Sequence, residues 1–386
     1  MYWIKFTRGI CTLETDYFHR ERREKRLGEV GTSNSRRYCG GRHTNIDILR
    51  IVASFMVIVI HVSASEWYST DVDSAEWAIM NFYDSAVRSC VPLFFMMSGV
   101  LFLDREKMLP ISKLLKNNIL KLVIVYIAWA LLYAIDTIGI KAFLTAPDSW
   151  DKIIAMIISS KYHLWFLPTM IGVYLLVPFM FALKEYENGK YISYAVLIFF
   201  VFAVFAKTMG VIPFQAAHVA KMLGNIRYEL VGFSGYFLLG YFLSKKKCPR
   251  IRKSLLLFVL LLVIGVATFI GRTHAISVGE PTGILYGYMM LPVFLEAVLI
   301  FIIFFNMKLE VSDKIASFIA SVSKCTLGIY LLHPFIIEHL KSWFGITTVS
   351  FNVWLSVPII SIIIFVVGML VTFGLLKIPV VNKWLV

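Results

Sequence analysis

Apolar residues run along this chain in long blocks, with charged and small polar residues gathered between them. Residues 45 to 65, NIDILRIVASFMVIVIHVSAS, show the pattern. Crossing about 30 Å of hydrocarbon takes roughly 20 residues of helix, and ten blocks qualify or come close. They lie near 46–64, 87–103, 119–139, 163–183, 191–207, 229–244, 254–271, 285–306, 314–338 and 353–377. Two stretches within them, Asn352–Leu376 and Ser254–Ile270, hold no charged residue. The blocks predict an all-α, polytopic membrane domain over residues 43–386, with about ten transmembrane helices. Composition agrees: 59% of residues are hydrophobic and 16% charged, which excludes a pair of ordinary soluble domains.

The charges between the blocks alternate, and basic connections mark the cytoplasmic side. Arg36, Arg37 and Arg42 precede the first block. Arg105, Lys107, Lys113, Lys116 and Lys121 dominate the second connection, and Lys245, Lys246, Lys247, Arg250, Arg252 and Lys253 fill the sixth. The first connection is acidic, with Glu66, Asp71, Asp73, Glu76 and Asp84. This alternation predicts cytoplasmic N and C termini in a multi-pass protein of the cell membrane. The fifth connection is an exception, because Lys207, Lys221 and Arg227 outnumber its acids. The net charge of +14 is thus read as topology and contact with the bilayer, not as a nucleic-acid surface. Residues 1–42 carry the charge run HRERREKR and no long apolar h-region, so they read as a disordered, basic cytoplasmic tail. The five cysteines form no CxxC or Cys/His pair, and neither a metal site nor a disulfide framework is expected.

Ionisable residues inside membrane helices are costly and tend to face a bundle interior or a watery cavity. The first block holds Arg50 near its inner end and His61 near its outer end. At about 1.5 Å per residue they lie about 16 Å apart along the axis, too far for an ion pair. Taken singly, Arg50 reads equally as a snorkelling side chain, and His61 as an interfacial histidine. Topology brings Arg88, His163, His333 and Glu66 to the same outer layer as His61. Such a set suggests a polar cavity in which histidine does general-base work; a hydrogen-bonded rim without chemistry is the alternative. Glu296 falls near mid-membrane, where it either lines a passage or stays protonated and structural. No GxGxxG or P-loop is present, so a nucleotide-bearing donor would not use those folds.

Several short motifs occur in order: Asp47 and Arg50 in DILR, His61 eleven positions after Arg50, then VPLFFMMSG, HLWFL with YLLVP, GYFLLGYFLS and GIYLLHP. On a ten-helix layout, the chain from residue 43 resembles the acyltransferase type 3 family of integral-membrane acyltransferases. The resemblance implies transfer of an acyl group, commonly acetyl, from cytoplasmic acyl-CoA to a hydroxyl of an envelope glycan or related acceptor. Acyl-CoA is then a substrate, and no permanently bound cofactor is expected. The family's helix-one arginine and histidine match Arg50 and His61, which implies Arg50 at the donor's entrance and His61 as base or proton carrier. One departure concerns the donor. Many members carry Arg-x-x-Arg where the second connection enters the third helix; here Asn118-x-x-Lys121 stands there, with Lys116 as the substitute charge.

These readings favour an O-acyltransferase, with Arg50, Lys113, Lys116 and Lys121 toward the CoA phosphates and Arg88 or His163 stabilising the oxyanion. A covalent acyl-histidine route is an alternative chemistry at His61. The competing functions are a transporter of a small polar solute or protons, using Glu296 and the histidines, and a non-catalytic scaffold.

Overall fold

The computed structural model describes residues 35–139, 161–211, 229–246, 252–307 and 309–385. Among these, every regular element is helical. In chain order they are α1 (Ser35–Ser63), α2 (Ala75–Val87), α3 (Cys90–Leu103), α4 (Ile111–Ile138), α5 (Phe166–Leu175), α6 (Val177–Glu185), α7 (Lys190–Met209), α8 (Glu229–Lys245), α9 (Lys253–Val278), α10 (Leu291–Phe305), α11 (Asp313–Phe344), α12 (Val353–Leu375) and α13 (Pro379–Trp384). Of the expected tail, residues 1–34 lie outside the described residues, and the backbone of 35–42 is helical and continuous with α1.

Among the described residues, seven helical stretches are long and apolar enough to cross a membrane: Thr44–Ser63, Ala75–Leu103, α4, α7, α9, α11 and α12. The count rises to eight if α5 and α6, bent by 44° at their junction, form one span. Pro178 causes this break, because it lies in the first turn of α6 and cannot continue the hydrogen-bond ladder. The other two expected positions hold α8 and α10, of 17 and 15 described residues, against about 20 for a typical crossing. Among the described residues, length and apolar content therefore support seven or eight spans.

The acidic first connection is shorter than expected. Ser74 caps α2 by accepting a hydrogen bond from the Trp77 amide at 3.1 Å, with Glu76 in the first turn. The buried face of α2 carries Trp77, Met80, Asn81, Asp84 and Ser85. That is helical spacing, but three of the five are polar, so the hydrophobic pattern hides the helix. Asp84, read as a loop charge, is fully buried.

α1 is the hub of the bundle and packs against α2, α3, α10, α11 and α12. α9 and α12 turn large side chains such as Leu261, Phe269 and Leu370 outward, as lipid-facing helices do. α3 and α8 form the most extensive pair. A Cβ added at Gly99 would run into the backbone carbonyl of Phe237, and one at Gly240 into that of Met96. This is small-residue packing of membrane helices, where dispersion between close backbones replaces the hydrophobic effect. Gly240→Ala is expected to lower stability by about 1–3 kcal/mol through overpacking, read as a fall in thermal midpoint in detergent. An unchanged midpoint would mean that the pair separates without cost.

Candidate functional site

His61 occupies the last turn of α1, His163 the turn just before α5, and His333 the middle of α11. The fold brings the three together. The rings of His61 and His333 stack with centroids 4.9 Å apart, and His163 meets His333 edge-on at 5.3 Å. Tyr162, Tyr330 and Tyr133 enclose them, with Tyr162 5.0 Å from His61 and the other two 5.4 and 5.2 Å from His163. The Tyr330 hydroxyl donates to the His163 carbonyl, which ties α11 to the turn.

His333 owes its orientation to Pro334. Proline has no N–H, so the Tyr330 carbonyl one turn earlier loses its ordinary helical donor. The His333 ring takes that place, with Nδ1 2.6 Å from the Tyr330 carbonyl oxygen. Because a carbonyl only accepts, Nδ1 carries the proton, and in the neutral ring Nε2 is left as an acceptor. Nε2 is buried with no hydrogen-bond partner among the described residues. The Tyr133 hydroxyl, donating to the Leu331 carbonyl at 2.7 Å, fastens α4 to this stretch of α11. Both ring nitrogens of His163 are likewise buried and without partners.

A cavity of about 240 Å³ has both Arg50 and His61 on its walls. Positions 50, 57 and 61 fall on one face of α1, and all three line it. His163 and Tyr330 join at the His61 end, Ser98 and Tyr174 lie opposite α1, and apolar side chains of α3, α4 and α5 complete the wall. At the other end, Arg50 Nη1 donates to Ser323 Oγ at 3.0 Å and lies 3.3 Å from Asp47, while Ser323 donates to Asp47 at 2.7 Å. This triad fixes Asp47 and Arg50 against α11. It engages one nitrogen of a guanidinium that has five N–H donors, and the Arg50 side chain stays 30% exposed.

The remaining expected site residues do not line this cavity. Arg88 is locked to Asp84 by hydrogen bonds of 2.8 and 2.5 Å and is not itself among the residues on the cavity wall, although its neighbour Tyr288 is. Glu66 pairs with Lys341 at 2.7 Å, away from the histidines. Burial alone would raise its pKa, but hydrogen bonds from Lys341 and Ser69 outweigh that and hold the carboxyl below its usual range. Glu296 is buried with both oxygens unsatisfied among the described residues, and it does not line the cavity. Lys113 and Lys116 are exposed and Lys121 is half-buried; none reaches the wall, although the next residue, Leu122, does. Among the described residues no cluster of three or more His, Cys, Asp or Glu side chains is arranged to hold a metal ion.

Sequence reading missed Ser323, Tyr330, the cavity-lining Tyr288 and the Asp84 partner of Arg88. Only Asp84 carried a signal, since it stands four residues before Arg88, the spacing of a helical ion pair.

No curated protein and no solved structure matches the chain. The family model for the type 3 acyltransferase domain matches residues 43–375, which takes in α1 from its first buried turn through the end of α12, with Arg50, His61, His163 and His333 inside it. The chain is a multi-pass membrane protein that belongs to the acyltransferase type 3 family.

Proposed function

We propose that this acyltransferase moves an acyl group, commonly acetyl, from acyl-CoA to a hydroxyl of an envelope glycan or related acceptor, in the cell membrane. The observation that carries this reading is the single cavity bounded by Arg50 at one end and His61 at the other. The nucleotide of the donor stays on the Arg50 side, taken as cytoplasmic. There Arg50 offers its free N–H groups to phosphate or pantetheine oxygens, and Lys113, Lys116 and Lys121 supply charge at the mouth. The extended pantetheine arm reaches along the apolar wall and brings the thioester toward His61.

At that point the acceptor oxygen attacks the thioester carbonyl, and its proton passes to His61. The C–O bond forms as the carbonyl becomes an oxyanion. A His163 N–H with no other partner is placed to donate to it. Collapse of the intermediate breaks the C–S bond, and the leaving thiolate recovers the proton from His61. The products are an O-acyl ester and free CoA. The acceptor lone pair on His333 Nε2, stacked beside His61, favours the cation that His61 becomes.

Purified protein with radiolabelled acetyl-CoA and envelope glycan tests the reading. Label on the glycan with matching release of CoA supports it. Solute flux without CoA turnover would support a transporter instead, a reading that receives no help from the position of Glu296 off the cavity wall.

Pro334→Ala probes the histidine arrangement. It restores the N–H that competes for the Tyr330 carbonyl and so releases His333. Helix stability should rise, because an interior proline costs roughly 3 kcal/mol. Turnover should fall, since a misplacement near 1 Å costs on the order of 100-fold. Turnover unchanged in a stabilised variant would remove His333 orientation from the mechanism.

A further inference from the structure

On the His61 side, Trp165 and Tyr288 form a wall shared by two chambers. They line the cavity that holds His61, and they also line a second pocket of about 450 Å³ with Thr169, Lys207 and Phe233. The rings make a platform: Trp165 lies 5.5 Å from Tyr288 at 33° and 5.6 Å from Phe233 at 38°. Phe233 rests in turn on Phe95, stacked at 4.6 Å. Interfacial tryptophan and tyrosine commonly form belts toward lipid, whereas these rings pack against one another at tilted angles between two chambers. Lys207 ends α7 at the rim and is exposed, with no ion pair or hydrogen bond among the described residues. The sequence around it is the exception to the charge alternation, since residues 207–228 hold Lys207, Lys221 and Arg227 and no acid.

We propose that this second pocket is the acceptor's docking subsite and that it selects acidic sugars. The C–H face of a pyranose ring suits the negative face of an aromatic ring, which Trp165 and Tyr288 present. Lys207 supplies a point charge for a carboxylate or phosphate on that ring, and the Thr169 hydroxyl, which already donates to the Trp165 carbonyl at 3.0 Å, keeps lone pairs for a sugar hydroxyl. A pocket with an apolar floor and few polar groups is the usual build of a small-molecule site. Because Trp165 and Tyr288 belong to both chambers, a sugar docked here has a free hydroxyl close to the His61 end of the cavity. The proposal deepens the acyl-transfer reading and rests on it for naming this ligand the acceptor.

Direct binding to the full chain in phosphatidylcholine nanodiscs tests the proposal without relying on turnover. Saturation-transfer NMR would compare methyl glucuronide, glucose 1-phosphate and methyl glucoside, with acetyl-CoA binding measured in parallel. At least one of the two charged sugars should bind more tightly than the neutral one, and which of them does identifies the acidic group. Lys207→Gln should weaken the charged ligands about tenfold or more, the loss expected for a charge-assisted contact, while neutral-sugar and acetyl-CoA binding stay as they were. Trp165→Ala should weaken all three sugars. Equal binding of neutral and charged sugars, no effect of Lys207→Gln, or no sugar binding by protein that still takes acetyl-CoA would each overturn the proposal. Lys207-dependent sugar binding without any acetyl-CoA binding would leave the pocket standing and sink the acyl-transfer reading instead.

Discussion

His61→Ala is expected to lower acyl transfer by a factor of about 10² to 10⁴, the usual loss when a general base is removed, while the protein remains inserted and folded. The ring lies at the end of α1 with contacts to Tyr162 and His333 and no hydrogen bond among the described residues. Truncating it therefore leaves no polar group stranded. A structural histidine would show the opposite profile, with loss of yield and thermal stability and near-normal turnover in the protein that survives. Turnover per mole of purified His61→Ala, alongside acetyl-CoA binding by calorimetry, separates the two. Binding retained with turnover lost assigns His61 to the chemistry and leaves the donor contact to Arg50.

The second large effect belongs to Arg88 and appears in stability. Asp84 is fully buried and its charge is met by Arg88. Arg88→Ala strands that carboxylate in the bundle, and breaking a buried pair typically costs about 3–5 kcal/mol. Thermal unfolding in detergent should show a large drop in midpoint. The double variant Asp84→Leu with Arg88→Met should recover most of it, because apolar replacement of both partners is close to neutral. If Arg88→Ala were as stable as the parent and yet inactive, Arg88 would act on the oxyanion after all, as the sequence first suggested.

Much of the site was legible in the sequence because its polar residues stand out against apolar blocks. Arg50, His61, His163 and His333 are conspicuous for that reason, and charge alternation was enough to bring the histidines to one layer. Their mutual stacking was not legible, since it depends on rotation of each helix about its axis. α2 was missed for a related reason. It buries Asn81, Asp84 and Ser85, so hydropathy reads it as a loop, and Arg88 appeared to be a free cation. Glu66 and the lysines of α4 stand off the cavity wall, because depth along a helix, which is all the sequence offers, cannot tell a cavity wall from its rim. The length of α10 was overestimated because apolar loop residues such as Leu285 and Met289 extend the hydropathy signal beyond the helix, whereas α8 has the bounds that hydropathy marks to within one residue.

The central claim is that donor and acceptor meet through a cavity joining the Arg50 and His61 ends. Proteoliposomes of uniform orientation, with labelled acetyl-CoA on one side of the bilayer and acceptor glycan on the other, test it most directly. Transfer is predicted when acetyl-CoA faces the Arg50 end and the glycan the His61 end, and Val57→Trp, which fills the passage midway on the cavity face of α1, should stop it. Transfer only when both substrates share a side, or transfer undiminished in Val57→Trp, would contradict the account.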